Sequence, residues 1–267
     1  MLLSGLAGLG VTLTSHYRSN ALWPVWASLA IGLCAAAGLV AVYGMGSWRT
    51  LTRQRQVPLR STVIPTVLIG VCVLLVLALG EATAPHPGSG WRGDLLVVFA
   101  YLGGGFAGVT MFGIRSAANY PVPQGDIVGL EQDFIELLSL RRLLQRLTSA
   151  LGSLVALSTL ALGASVLMTK APAKEVVIVF GGGGTVLVGL FHAAAASAIR
   201  AHGERSVAAI SASGPPPTDP AELVDRLEQR SKLEQLIGID RTVFADLQTT
   251  LPVLSPLIAS AAILLPK

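Results

Sequence analysis

Five stretches of the chain, at about 21–43, 62–81, 94–114, 147–169 and 176–198, contain no Asp, Glu, Lys or Arg apart from Glu81 and Asp94 at their ends. An α-helix needs about 20 mostly apolar residues to cross a hydrocarbon core of roughly 30 Å. A helix lying on a soluble core would show a charged face on a 3.6-residue period, and none of the five does. The composition agrees. Only 13% of the 267 residues are charged and the mean hydropathy is +0.66, whereas soluble domains carry about 25% charged residues. The expected fold is therefore all-α: a polytopic helical membrane protein of about five transmembrane helices, with short cytoplasmic amphipathic helices.

Basic residues orient these spans. Fourteen lie on one side: Arg49, Arg53, Arg55 and Arg60 after the first span, Arg115, Arg141, Arg142 and Arg146 after the third, and Arg200, Arg205, Arg226, Arg230, Lys232 and Arg241 after the fifth. The other side has Arg18, Arg92, Lys170 and Lys174. Cytoplasmic loops carry the Lys and Arg excess. The N-terminus is thus expected outside, with residues 199–242 in the cytoplasm. Trp23, Trp26, Trp48 and Trp91 fall near span ends, where indoles favour the headgroup level. The Arg excess over Lys, fifteen to four, together with abundant Ala, Gly and Pro, fits a GC-rich bacterial genome and hence a cell membrane.

The chain divides into a transmembrane region over 1–198, a flexible linker over 199–220 containing SASGPPPTDP, and a cytoplasmic helical tail over 221–267. At the N-terminus, MLLSGLAGLGVTLT is too short for a full crossing and lacks the basic residues of a signal peptide, so an interfacial helix is expected. LPVLSPLIASAAILLP (251–266) is interrupted by Pro252 and Pro256 and reads as a re-entrant or packed helix, or as a sixth span. Residues 125–147 are amphipathic, with acidic residues early and arginines late, the order that complements a helix dipole. This helix is expected to run on into span four. After the linker, Asp219 or Thr218 can cap a helix that begins at Pro220 and carries Leu223, Leu227, Leu233, Leu236 and Ile237.

An offset of 79 residues places Gly103, Gly104 and Gly105 on Gly182, Gly183 and Gly184, Tyr101 on Phe180, and Phe112 on Phe191. This suggests a tandem repeat of a two-helix hairpin. Gly103, Gly105 and Gly108 also spell G-x-G-x-x-G after an apolar run, the pattern of a dinucleotide-binding turn. That turn requires a second strand ending in an acidic residue about 20 positions on. Asp126 has the spacing, but SAANYPVPQG intervenes and no material for a parallel sheet remains. Small residues instead let membrane helices approach closely. Gly104 and Gly108, and Gly181, Thr185 and Gly189 with Ala193 and Ser197, are the expected packing seams.

No motif for metal binding, nucleophilic catalysis or phosphate binding is present, and Cys34 and Cys72 lie in apolar runs without redox spacing. No catalytic residue, metal or cofactor is expected, and the protein reads as non-enzymatic. His192 is the one histidine inside a span. Ionisable groups within a membrane mark function by default, so His192 is the candidate for conduction, weighed against a packed histidine bonded to a neighbouring helix. The expected partners are the lipid bilayer, anionic lipids at the cytoplasmic arginines, and a second copy or a membrane partner protein. Nucleic acid is not expected, because no aromatic residues interleave the arginines. The function class is scaffold, accessory subunit or membrane effector, with a small transporter or channel as the alternative.

Overall fold

The computed structural model describes residues 2–54, 57–60, 62–71, 91–121, 127–169, 175–212 and 219–237. Every regular element among them is a helix: α1 (Leu2–Leu13), α2 (Trp23–Gln54), α3 (Thr62–Val71), α4 (Trp91–Ala118), α5 (Ile127–Thr169), α6 (Glu175–Ala212) and α7 (Pro220–Ile237). Four of them, α2, α4, α5 and α6, are long and apolar enough to cross a membrane. The expected second span, 62–81, is described only as far as Val71, so its second half lies outside the described residues, as does 251–266. The protein is all-helical and membrane-like, with four long apolar helices described.

The bundle is built on α2, which pairs with α1, α4 and α5, while α6 pairs with α4 and α5. One core joins Leu51 of α2, Met111 and Ile114 of α4, Leu144 and Leu147 of α5, and Val188 and Ile199 of α6. A second core at the opposite end joins Trp26, Leu33 and Ala37 of α2 with Leu96 of α4 and Leu154, Ala161 and Met168 of α5. Large apolar side chains are also exposed along the bundle, among them Val42, Ile64, Leu68, Leu102, Val179, Val186 and Leu190. A soluble monomer rarely leaves so much apolar surface uncovered; lipid is the solvent that suits it. Trp26 departs from expectation. It is buried between helices rather than facing the headgroups, in the core that includes Leu96 of α4 and Ala161 of α5.

The helix ends are tied to one another. Asn20 accepts from the Leu22 amide at 2.9 Å and donates through Nδ2 to the Met168 carbonyl at 3.0 Å. It thereby starts α2 and caps one of the carbonyls that the end of α5 leaves without an intrahelical partner. Arg92, at the start of α4, donates to the Thr14 carbonyl just past α1. Tyr101 of α4 donates its hydroxyl to the Thr66 carbonyl of α3. The Phe112 and Phe191 rings meet edge to face, with centroids 5.2 Å apart and planes at 89°. These two residues are equivalent under the 79-residue offset. A contact between equivalent side chains is what a two-fold relation between α4 and α6 would produce.

Two boundaries differ from the hydropathy reading. Helix α5 has 43 residues and α6 has 38. At 1.5 Å per residue they are about 64 and 57 Å long, roughly twice the hydrocarbon thickness. The amphipathic 127–147 segment does run unbroken into the fourth apolar stretch, as expected. The expected linker over 199–220 is corrected over its first part: residues 199–212 are helical, a direct continuation of α6. Loss of hydropathy near residue 198 marks the end of the apolar environment, not the end of the helix.

Beyond the apolar stretches, α5, α6 and α7 form a small head. Phe134 of α5 and Val207 of α6 pack with Leu138, Ile210 and Leu233, the last from α7. Asp219 caps α7 as expected, accepting from the Ala221 amide at 3.4 Å, and Pro220 occupies the first turn. At the other end of α7, Arg141 of α5 donates to the Leu236 carbonyl at 3.2 Å. The exposed charges of α7 pair along the helix as Arg230 with Glu234 and Lys232 with Glu228, each at 2.8 Å. The hydrogen bond from Lys232 holds the Glu228 carboxyl below its ordinary range.

Candidate functional site

The glycine seams separate by contact. A Cβ on Gly103 would lie 2.5 Å from the Ala37 carbonyl oxygen and 2.7 Å from its Cα. One on Gly44 would lie 2.8 Å from the Ala107 nitrogen. Here the backbones of α2 and α4 touch, which only glycine permits. Thr110 sits in the same seam, buried, and its hydroxyl bonds to the Gly44 carbonyl at 3.0 Å as well as to the Phe106 carbonyl of its own helix. The expected pair, Gly104 and Gly108, meets side chains rather than backbone. Gly104 faces Leu151 and Leu154 of α5, and Gly108 faces Phe191 and Thr66. The α2–α4 seam is therefore displaced by one residue from the G-x-x-x-G reading and runs through Gly103 and Ala107.

The α6 stripe turns as it climbs. Residues four apart drift by about 40° per step. Gly181 and Thr185 are buried, and Thr185 donates to the Gly181 carbonyl at 2.9 Å. Gly189 has no atom within 4 Å of a Cβ position, and Ser197 is exposed. A side chain at Gly189 would thus meet nothing among the described residues of this chain. Gly184, outside the expected stripe, packs against Val155 of α5.

His192 is fully buried, and its Nδ1 lies 3.0 Å from the Thr148 hydroxyl of α5. The same hydroxyl bonds to the Leu144 carbonyl of its own helix at 2.8 Å. The arrangement bonds α5 to α6 inside the apolar region. It is the packed arrangement weighed in the sequence.

A second polar link between the same helices lies in the head, and the sequence reading did not bring it together. His202 Nε2 is 2.8 Å from Asp133 Oδ2, with the side chains 0% and 3% exposed. Ser206, one turn after His202, donates to the same Oδ2 at 2.9 Å. From the sequence, Asp133 reads as one of the acidic residues in the first half of the 125–147 helix and His202 as part of the 199–220 linker. One signal was present. Asp133 lies on the apolar stripe of Leu130, Phe134 and Leu137, all buried, where a carboxylate requires a partner.

Ser, His and Asp together raise the question of hydrolysis. In a catalytic triad the serine hydroxyl bonds to one imidazole nitrogen and the carboxylate to the other. Here the serine and the imidazole both donate to one carboxylate oxygen, so no base is positioned on the hydroxyl. All three groups are buried. The chemistry this geometry performs is cohesion: it places a carboxylate and its two donors across the α5–α6 contact. No group of three or more metal-binding side chains occurs among the described residues. A small cleft between α2, α4, α5 and α6, lined by Trp26, Leu33, Leu96, Ser158, Ser165 and Phe180, is mostly apolar. Ser158 directs its hydroxyl to the Leu154 carbonyl at 2.9 Å.

No protein-family profile, no curated protein and no solved structure matches the chain. The functional reading rests on its own geometry.

Proposed function

We propose that the protein is a non-enzymatic membrane protein that holds a helical head against one face of the bilayer and acts through it as a scaffold, accessory subunit or effector. The observation that carries this reading is the continuity of α5 and α6 from the apolar bundle into the head. There they are joined by the buried Asp133, His202 and Ser206 and braced by α7. Leu223, Val224 and Leu227 remain exposed on α7, an apolar face of the kind that a protein partner or a second copy covers. The bond between His192 and Thr148 supports a structural role for that histidine.

The reading is tested by reconstituting the purified chain in liposomes and measuring ion and dye flux. The expected result is flux no greater than in protein-free vesicles, for the wild type and for His192→Ala alike, with a stable oligomer recovered from detergent. Flux that His192→Ala abolishes would instead establish the alternative, a small transporter or channel.

The same reading places the N-terminus outside the cell and the head in the cytoplasm, on the strength of the arginine distribution. In a background without Cys34 and Cys72, Arg18→Cys should react with a membrane-impermeant maleimide in intact cells. Ser211→Cys should react only after permeabilisation. The reverse labelling would invert the topology.

A further inference from the structure

Arg230 and Lys232 of α7 are paired with Glu234 and Glu228, whereas a set of arginines where the apolar bundle ends is not. Arg49 and Arg53 of α2, Arg60 just before α3, Arg115 of α4, and Arg142 and Arg146 of α5 are all exposed. None of these six guanidinium groups makes a hydrogen bond or ion pair among the described residues. They share one level of the bundle. Leu51, Ile114 and Leu144, next to these arginines in sequence, pack in a single core, and Val57 lies against it. Gly113 fixes the register further, since a Cβ there would lie 2.7 Å from Leu51 and 2.8 Å from Trp48. Asp133, the buried carboxylate of α5, is committed to His202 and Ser206 in the head. Two of the arginine pairs, 49 with 53 and 142 with 146, stand at i, i+4, where like charges destabilise a bare helix. Three helices and the segment leading into α3 thus present unneutralised guanidinium groups at the height where the apolar surfaces stop.

We propose that this girdle binds the headgroups of anionic phospholipids, which supply the negative charge that the protein's own carboxylates withhold. Guanidinium groups match phosphate oxygens in geometry as well as charge. The adjoining apolar helix surface, Val42 and Tyr43 on α2 and Leu102 and Phe106 on α4, receives the acyl chains. A lipid has both parts, whereas a free polyanion has only the first. The inference concerns the bundle end and is independent of what the head docks.

The test uses the full chain in nanodiscs of phosphatidylcholine, titrated with phosphatidylglycerol and read by native mass spectrometry. The anionic lipid is expected to bind more tightly than the zwitterionic one, and less so as salt is raised. A basic residue near the surface contributes about a fivefold change in affinity. The pairs Arg49→Gln with Arg53→Gln, and Arg142→Gln with Arg146→Gln, should therefore each weaken phosphatidylglycerol by about 25-fold. The corresponding Lys pairs should hold it within a few fold. Circular dichroism of the Gln variants should match the wild type, which separates lost binding from lost fold. Equal binding of the two lipids, or unchanged affinity in folded Gln variants, would overturn the proposal. So would displacement of the lipid by a single-stranded polynucleotide at 0.15 M salt.

Discussion

Replacing either His202 or Asp133 by Leu is expected to destabilise the head by about 3–5 kcal/mol, because each change leaves the other group buried without its partner. The surroundings make the cost large. The pair is 0% and 3% exposed, so water cannot stand in for the missing side chain. With His202 gone, the Asp133 carboxylate keeps its bond from Ser206 but loses its imidazole donor. With Asp133 gone, Ser206 retains the His202 backbone carbonyl at 3.1 Å, while the imidazole loses the oxygen it bonded. The double variant Asp133→Leu with His202→Leu should recover most of the loss, since removing both members replaces a buried polar pair with apolar contact. Hydrogen exchange over residues 199–212, compared with exchange in the bundle, reads the effect locally. If the double variant were as unstable as the sum of the single ones, the two groups would not be acting as a pair.

The second large effect is at Gly103. Gly103→Leu is expected to force α2 and α4 apart, costing 1–3 kcal/mol or more by overpacking, because the atoms it meets belong to the Ala37 backbone and cannot rotate away. The neighbouring Gly105 provides the control. A Cβ there meets nothing within 4 Å, so Gly105→Leu should leave thermal unfolding in detergent nearly unchanged. Two adjacent substitutions of one kind, two residues apart in a glycine triplet, should differ sharply. Equal melting temperatures would mean that the α2–α4 contact is not as close as described.

The contrast explains what the sequence could and could not convey. Charge-free runs of twenty residues announced the helices and their class, since a polar backbone in lipid must satisfy itself. The glycine triplet announced close packing, but not which glycine. The rotation of a helix about its axis is set by neighbours that lie far away in the chain, as Ala37 does from Gly103. The G-x-x-x-G spacing of Gly104 and Gly108 therefore signalled packing without naming the partner helix. Helix ends were misread for a related reason. Hydropathy reports the surrounding solvent, and both α5 and α6 pass from one solvent to another without changing conformation. The Asp133–His202 pair was hidden by the same error, because a residue assigned to a flexible tail has no defined neighbour. Only the antiparallel course of α5 and α6 brings residues 133 and 202 to one height.

The unbroken passage of α5 and α6 out of the bundle has a mechanical consequence. Each behaves as a stiff rod with about half its length outside the hydrocarbon. A tilt of about 10° in the buried half swings a point about 30 Å beyond the boundary by about 5 Å. Because α7 lies against both rods, it travels with them. A tilt of that size would therefore carry the apolar face of α7 by about the rise of one helical turn.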